Sequence, residues 1–191
     1  MNGSQNNMTI GLYESPKTVF TIRGIGMMIG ESREGVLSKR LNYHVRKGTL
    51  LNPRRGIYAK KGYNPEELAC LLYTPSYLSL EYVLQKAGVV FQYDSRLTSV
   101  SYLSRMVEMD GHEYCYRRIK GEILTNTMGI DCGNGVSIAS KERAFLDVIY
   151  LNTTYYFDNL RPLDYRRVKQ LLPIYGNKRM EQRVKKMFEG K

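Results

Sequence analysis

Between Arg33 and Gly48 the apolar side chains fall on one side of a helix and the cationic and hydrogen-bonding ones on the other. At about 100° per residue, Leu37, Leu41, His44 and Val45 share one side. Lys39, Asn42, Tyr43 and Arg46, with Gly35 among them, occupy a narrow opposite sector. The spacing predicts a helix over residues 33–47, ended by Gly48 just past its last turn. Arg46 and Lys47 sit in that turn, where the helix dipole favours cations. The stretch from Thr18 to Ile29 predicts a helix before it, capped by Thr21 and running through Ile22, Ile25, Met28 and Ile29. Gly24, Gly26 and Gly30 weaken that helix in isolation, so packing must hold it. After Gly48, Leu50 to Asn52 and Ile57 to Lys60 are short strand candidates, with Pro53 to Gly56 as the turn between them. A helix, a short turn, an amphipathic basic helix and a basic-tipped hairpin are the order of a winged helix-turn-helix.

The charge is concentrated in the same place. The 191-residue chain carries 29 Lys and Arg against 18 Asp and Glu, a net +11. Residues 17–61 hold eleven bases and only two acids, Glu31 and Glu34. Residues 62–160 hold eight bases and twelve acids, and residues 161–191 ten bases and three acids. Two basic ends around a mildly acidic middle point to a polyanionic partner rather than to a uniformly solubilising surface. Arg and Lys read guanine O6 and N7, and Asn reads adenine bidentately. The candidate contacts to duplex DNA on the basic helix are therefore Arg33, Lys39, Asn42, Tyr43 and Arg46. Arg54 and Arg55, at the hairpin tip, are candidates for the phosphate backbone or a minor groove. Read blandly, the same residues are a solvated helix face and a charged turn that keeps a short edge soluble. The helix before them and the hairpin after them favour the DNA reading.

The rest of the chain predicts a second, mixed helix–strand domain over residues 62–191. The fold class expected is thus α+β, with the winged helix at 17–61 and a frayed arm at 1–16. Gly62 to Pro65 reads as a linker, and Pro65-Glu66-Glu67 opens a helix. Tyr77 to Lys86 reads as another helix. Asp110-Gly111 signals a hairpin between Ser101–Met109 and Glu113–Ile119. Gly121 to Thr127 and Gly135 to Ala139 read as strands, and Ser140 caps a helix. Helices follow around Pro173, and the last carries an apolar stripe of Met180, Val184, Met187 and Phe188 that must dock on something.

Little here suggests catalysis. His112 and Cys115 lie at and after a hairpin turn, with no third group to orient a nucleophile. Glu142 and Asp147, five residues apart on a helix, do not share a face. Two histidines and three scattered cysteines, Cys70, Cys115 and Cys132, give neither a metal-ligand spacing nor a disulfide framework. No enzyme activity, cofactor or metal is expected, and a nuclease is the remote alternative. The sixteen tyrosines read as core or interface residues with a polar tip, because the segment around many of them is acidic. No run approaches about 18 apolar residues, and the polar N-terminus lacks the apolar core of a secretory signal. A cytoplasmic protein with no membrane partner is expected.

Several stretches, in their order, resemble the AbiEi family, the antitoxins of type IV abortive-infection toxin–antitoxin systems. They are Val19-Phe20-Thr21, and the run from Leu41 through Arg46-Lys47-Gly48-Thr49-Leu50 into Arg54-Arg55-Gly56-Ile57-Tyr58. Pro75-Ser76-Tyr77-Leu78-Ser79-Leu80-Glu81-Tyr82-Val83-Leu84 resembles the family's Tyr-Ile-Ser segment. Ser140-Lys141-Glu142-Arg143-Ala144-Phe145-Leu146-Asp147 resembles its Ser-x-Glu-Arg-Ala-Leu-x-Asp helix, with Phe145 where Leu is usual. The resemblance covers residues 19 to about 151. It implies an N-terminal winged helix that binds the protein's own promoter and represses it. It also implies a C-terminal domain that counters a nucleotidyltransferase-like toxin. A protein-interaction module with a mainly structural winged helix is the alternative.

Overall fold

The structure, a computed structural model, describes residues 11–189. The architecture is α+β, and the chain divides between Leu68 and Ala69 into two compact units, each with its own sheet.

In the first unit a helical turn at residues 11–14 precedes strand β1 (Val19–Thr21) and helices α1 (Ile22–Ile29) and α2 (Glu34–Arg46). A hairpin of β2 (Leu51–Arg54) and β3 (Ile57–Ala59) follows, and the antiparallel sheet has the order β1-β3-β2. Strand β1 lies inside the stretch read as continuous with the first helix. Thr21 ends the strand and caps α1, its Oγ1 accepting from the Gly24 N–H at 3.0 Å. Gly26 is where the two helices close on each other. The Glu31 N–H donates to the Gly26 carbonyl at 3.0 Å, and a Cβ on Gly26 would sit 2.7 Å from the Glu31 carbonyl oxygen. Leu12, Phe20, Ile25, Leu37, Leu41, Leu50 and Tyr58 form the core of this unit.

Residues 1–10 of the expected arm lie outside the described residues. Residues 11–14 are not frayed: Leu12 is buried in the core, and the Tyr13 hydroxyl donates to the Thr49 carbonyl at 2.7 Å. Residues 62–65 are likewise tied down. The Asn64 N–H donates to Thr18 Oγ1 at 2.8 Å. The buried Glu67 carboxylate accepts from Thr18 N at 2.7 Å, Thr18 Oγ1 at 2.9 Å and Val19 N at 3.1 Å. These bonds hold the start of α3 (Pro65–Leu72) against the start of β1, which groups residues 62–68 with the first unit.

The second unit is built on a six-stranded sheet of order β6-β7-β5-β4-β9-β8. Its strands are β4 (Ser76–Leu78), β5 (Leu97–Ser101), β6 (Arg105–Met109), β7 (His112–Arg118), β8 (Ile130–Gly133) and β9 (Val136–Ala139). The pairs β5–β7 and β4–β9 are parallel and the rest antiparallel. Asp110-Gly111, at φ 50 and 77, turns the β6–β7 hairpin, and Asn134-Gly135, at φ 48 and 82, turns β8–β9. The helices are α4 (Glu81–Lys86), α5 (Gly121–Leu124), α6 (Lys141–Leu151), α7 (Tyr165–Leu171) and α8 (Lys178–Glu189), with a 3-10 turn at Leu172–Tyr175. Helix α8 docks on the core of its own unit through Met180 and Val184, with Met187 and Phe188 beside them.

Beyond the stretches already described, Tyr77–Lys86, Gly121–Thr127 and Ser101–Met109 differ from the sequence reading, the last because Ser101 ends β5 and only Arg105–Met109 pairs with β7. Tyr77 to Lys86 is not one helix: its first residues form β4, Leu80 breaks the chain at φ 62, and only Glu81–Lys86 is helical. Gly121 to Thr127 is not a strand but begins with the short helix α5, which buries Ile123 and Leu124.

The first departure has a visible cause. Strand β4 and the extended residue after it aim Tyr77 and Ser79 at a buried ion pair on α6. Arg143 and Asp147, one turn apart, are each 0% exposed, with Arg143 Nε 3.5 Å from Asp147 Oδ1. Arg143 Nη1 donates to the Met128 carbonyl at 3.0 Å, and Nη2 to the Ile123 carbonyl at 2.7 Å and the Tyr77 hydroxyl at 3.0 Å. Asp147 accepts from Ser79 Oγ at 2.7 Å, the Tyr175 hydroxyl at 2.7 Å and the Tyr77 hydroxyl at 3.0 Å. Burial pushes the Asp147 carboxyl above its ordinary pKa, and Arg143 and the three hydroxyl donors pull against it. Asp147→Ala would leave the Arg143 charge buried without its counter-ion. It should cost about 3–5 kcal/mol in urea unfolding of the full chain, seen in the second unit's transition. Arg143→Met combined with Asp147→Leu should cost less than either single change. A loss for Asp147→Ala no larger than a surface ion pair's, under about 1 kcal/mol, would contradict this.

Candidate nucleic-acid interface

Helix α2 is oriented by its apolar side. Leu37 and Leu41 are 2% and 0% exposed in the core, and His44 and Val45 are half-buried beside them. That rotation turns Lys39, Asn42, Tyr43 and Arg46 to solvent, and all four are exposed. The Lys39 and Asn42 side chains make no hydrogen bond or ion pair among the described residues. Arg46 Nε reaches back to the Asn42 carbonyl at 3.4 Å, so its guanidinium lies along the same face. Tyr43 sits edge-on to His44, with ring centroids 5.5 Å apart. Lys47 Nζ lies 4.8 Å from the Tyr43 ring centroid, adding a fifth polar residue that the sequence reading left out of the set.

Arg33 stands apart from this group. It precedes the first turn of α2 and is exposed, but its guanidinium is held by Glu31, Nε to Oε1 at 3.1 Å and Nη2 to Oε2 at 3.3 Å. The hydrogen bond to Arg33 keeps the Glu31 carboxyl below its ordinary pKa. The Arg33 end of the pair is open to solvent while Glu31 is half-buried, so a phosphate can approach Arg33 from the solvent side.

The hairpin presents the other two arginines. The turn is tighter than the sequence reading placed it: β2 continues through Pro53 and Arg54, and only Arg55 and Gly56 turn, with Gly56 at φ 81. Pro53 has no N–H to give to a ladder, and it is accommodated because β2 is an edge strand. The register shifts between Leu51 and Arg54, and the Asn52 side chain bridges the irregular stretch. Its amide nitrogen donates to the Ile57 carbonyl at 2.6 Å and the Arg54 carbonyl at 2.9 Å. The Gly56 carbonyl accepts from Ile22 N at 2.9 Å, tying the tip to the start of α1. Arg54 and Arg55 are both exposed. Asn52-Pro53 is a turn signal in the sequence, so the longer β2 was not legible there; it depends on the bonds from the Asn52 side chain across the hairpin.

His44 supports this face and does not belong to it. Thr49 Oγ1 lies within hydrogen-bond distance of both the His44 carbonyl, at 3.0 Å, and Nδ1, at 3.1 Å, and so holds the ring in place. Nε2 is buried with no partner. Burial, and then the Lys47 charge, hold the imidazole below its ordinary pKa.

The other chemistry-bearing residues are spread out. His112 is exposed at the β6–β7 turn, and burial raises the Cys115 thiol, the opposite of what a thiolate nucleophile needs. Glu142 accepts from Asp164 N at 3.2 Å, while Asp147 is engaged by Arg143. Cys70, Cys115 and Cys132 form no disulfide among the described residues, and the Cys70 sulfur is hydrogen-bonded to the Ser137 backbone. Among the described residues no three His, Cys, Asp or Glu side chains gather as metal ligands, and no helix is long and apolar enough to cross a membrane. The chain matches no model of a known protein family, and no curated protein matches it.

Proposed function

We propose that the first unit is a winged helix-turn-helix that binds duplex DNA, and that the protein represses its own promoter. The observation that carries this reading is the face of α2. Lys39, Asn42, Tyr43 and Arg46 are exposed together, opposite the buried Leu37 and Leu41, with Arg54 and Arg55 at the tip of the hairpin that follows. The order of a helical turn, strand, two helices and hairpin, with strands arranged β1-β3-β2, supports the winged-helix reading. Helix α2 takes the role of the recognition helix. Asn42, Lys39 and Arg46 reach base edges, Tyr43 packs alongside, Arg33 meets a phosphate from its solvent side, and Arg54 and Arg55 hold the backbone.

Asn42→Ala should cost about 1–3 kcal/mol on the DNA upstream of the gene and little on random duplex, measured by fluorescence anisotropy. Arg54→Ala with Arg55→Ala should weaken binding to every sequence. It should also flatten the log–log salt dependence by about 0.9 per lost phosphate contact. Equal losses for Asn42→Ala on both duplexes, or an unchanged salt slope for the arginine pair, would count against the assigned roles.

The second unit carries the other half of the resemblance, and with it the proposed role of antitoxin against a nucleotidyltransferase-like toxin in a type IV system. The two stretches that resemble the AbiEi family there, Tyr77-Leu78-Ser79 and Ser140 to Asp147, meet in the buried Arg143–Asp147 network. They speak for a shared architecture rather than for a contact surface. Co-expression with a nucleotidyltransferase encoded beside the gene should restore growth of cells that the enzyme alone arrests. Arrest that persists at equal expression would remove the antitoxin role and leave the DNA reading standing.

A further inference from the structure

One end of the second unit's sheet holds a pocket that DNA reading does not use. The parallel strands β5 and β7 run side by side, with Ser101 level with Arg118, and deliver two loops to the same end of the sheet. The loops are fastened there. Ile119 N donates to the Ser101 carbonyl at 3.0 Å, and Arg118 N donates to Ser104 Oγ at 3.0 Å. Between them and α6 lies a cavity of about 480 Å³ lined by Tyr102, Arg118, Ile119, Lys120, Gly121 and Tyr150. That volume is in the range of small-molecule sites, roughly 300–1,000 Å³.

The lining has a definite chemistry. Arg118 and Lys120 face the same space, no carboxylate lines it, and neither side chain makes an ion pair or hydrogen bond among the described residues. Two exposed cations lining one pocket, with no Asp or Glu among its lining residues, suit an anionic ligand, and the planar Arg fork suits phosphate. Tyr102 is 49% exposed beside them, and Tyr150 is steadied from behind by Tyr175, with ring centroids 5.6 Å apart. Cations beside exposed aromatic faces match a ligand with a phosphate at one end and a flat ring at the other. Open pockets at the carboxyl ends of parallel strands are common places for such ligands.

We propose that this pocket binds a free nucleoside polyphosphate, with Arg118 and Lys120 on the phosphates and Tyr102 against the base. The site belongs to the second unit alone and does not depend on whether the first unit binds DNA.

Isothermal titration of the full chain tests it, with ATP, GTP and inorganic tripolyphosphate as probes. At least one nucleotide should bind at one site per chain. Tripolyphosphate should bind about fivefold or more weakly, the worth of the lost base stacking. Arg118→Ala, Lys120→Ala and Tyr102→Ala should each weaken the nucleotide by about fivefold or more, while Tyr102→Phe should retain it. Lys169→Ala, an exposed cation on α7, should bind as the wild type does. Unchanged urea transitions would establish that the variants are folded. Tripolyphosphate binding as tightly as the nucleotides, a folded Tyr102→Ala that binds normally, or no nucleotide binding would each overturn the proposal. So would displacement of the nucleotide by random duplex DNA that Arg118→Ala weakens equally, because the pocket would then be part of a polyanion surface.

Discussion

Burial of Leu37 and Leu41 fixes the rotation of α2, and with it what the first unit presents to solvent. Each buried leucine is worth about 1.5–3 kcal/mol relative to exposure. Turning the helix by one residue would expose that apolar surface and drive cations towards the core. Gly26 sets how closely α1 and α2 approach, because only a residue without a Cβ fits against the Glu31 carbonyl. The bond from Ile22 N to the Gly56 carbonyl then fixes the hairpin tip relative to the same helices. The positions of Lys39, Asn42, Tyr43, Arg46, Arg54 and Arg55 are thus consequences of core packing and two backbone contacts. In a segment with eleven bases and two acids, those constraints turn a charge excess into an ordered cationic face.

The second unit rests on a different kind of constraint. Its α6 carries both members of an ion pair into the interior, and β4, the Ser79 that follows it and the 3-10 turn supply the hydroxyls beside it. A misplaced β4 or 3-10 turn would leave a buried charge short of partners, so the network penalises wrong docking more than it adds stability. The chain stays extended through Ser79 and turns into α4 only at Leu80, where Thr98 Oγ1 donates to the Ser79 carbonyl and accepts from Tyr82 N.

The amphipathic helix, the N-caps of α1 and α6 and the Asp110-Gly111 turn were legible in the sequence because each has a local cause. Thr21 and Ser140 accept the N–H bonds that their positions imply, and Asp110-Gly111 takes the two positive φ values its turn requires. The apolar and polar sectors of α2 were legible for the same reason, since the helical period alone separates them. What could not be read depends on partners far along the chain. Tyr77 and Ser79 are placed by Asp147, so the helical spacing of Leu78, Tyr82 and Val83 was misleading. Residues 62–65 look like a linker until Thr18 and Glu67 are seen to hold that segment. The Arg143–Asp147 pair was not singled out in the sequence, where its i, i+4 spacing looks like any surface pair and charge normally marks a solvent face. Arg33 was readable as a cation but not as a residue already held by Glu31.

The most direct measurement is an amide chemical-shift titration of the full chain with the duplex that lies upstream of its gene. If α2 and the hairpin tip read DNA, the largest shifts will fall between residues 33 and 47 and around Arg54 and Arg55, and they will fade as salt is raised. Saturation of the duplex with those amides unmoved would contradict the reading of this face as the DNA interface.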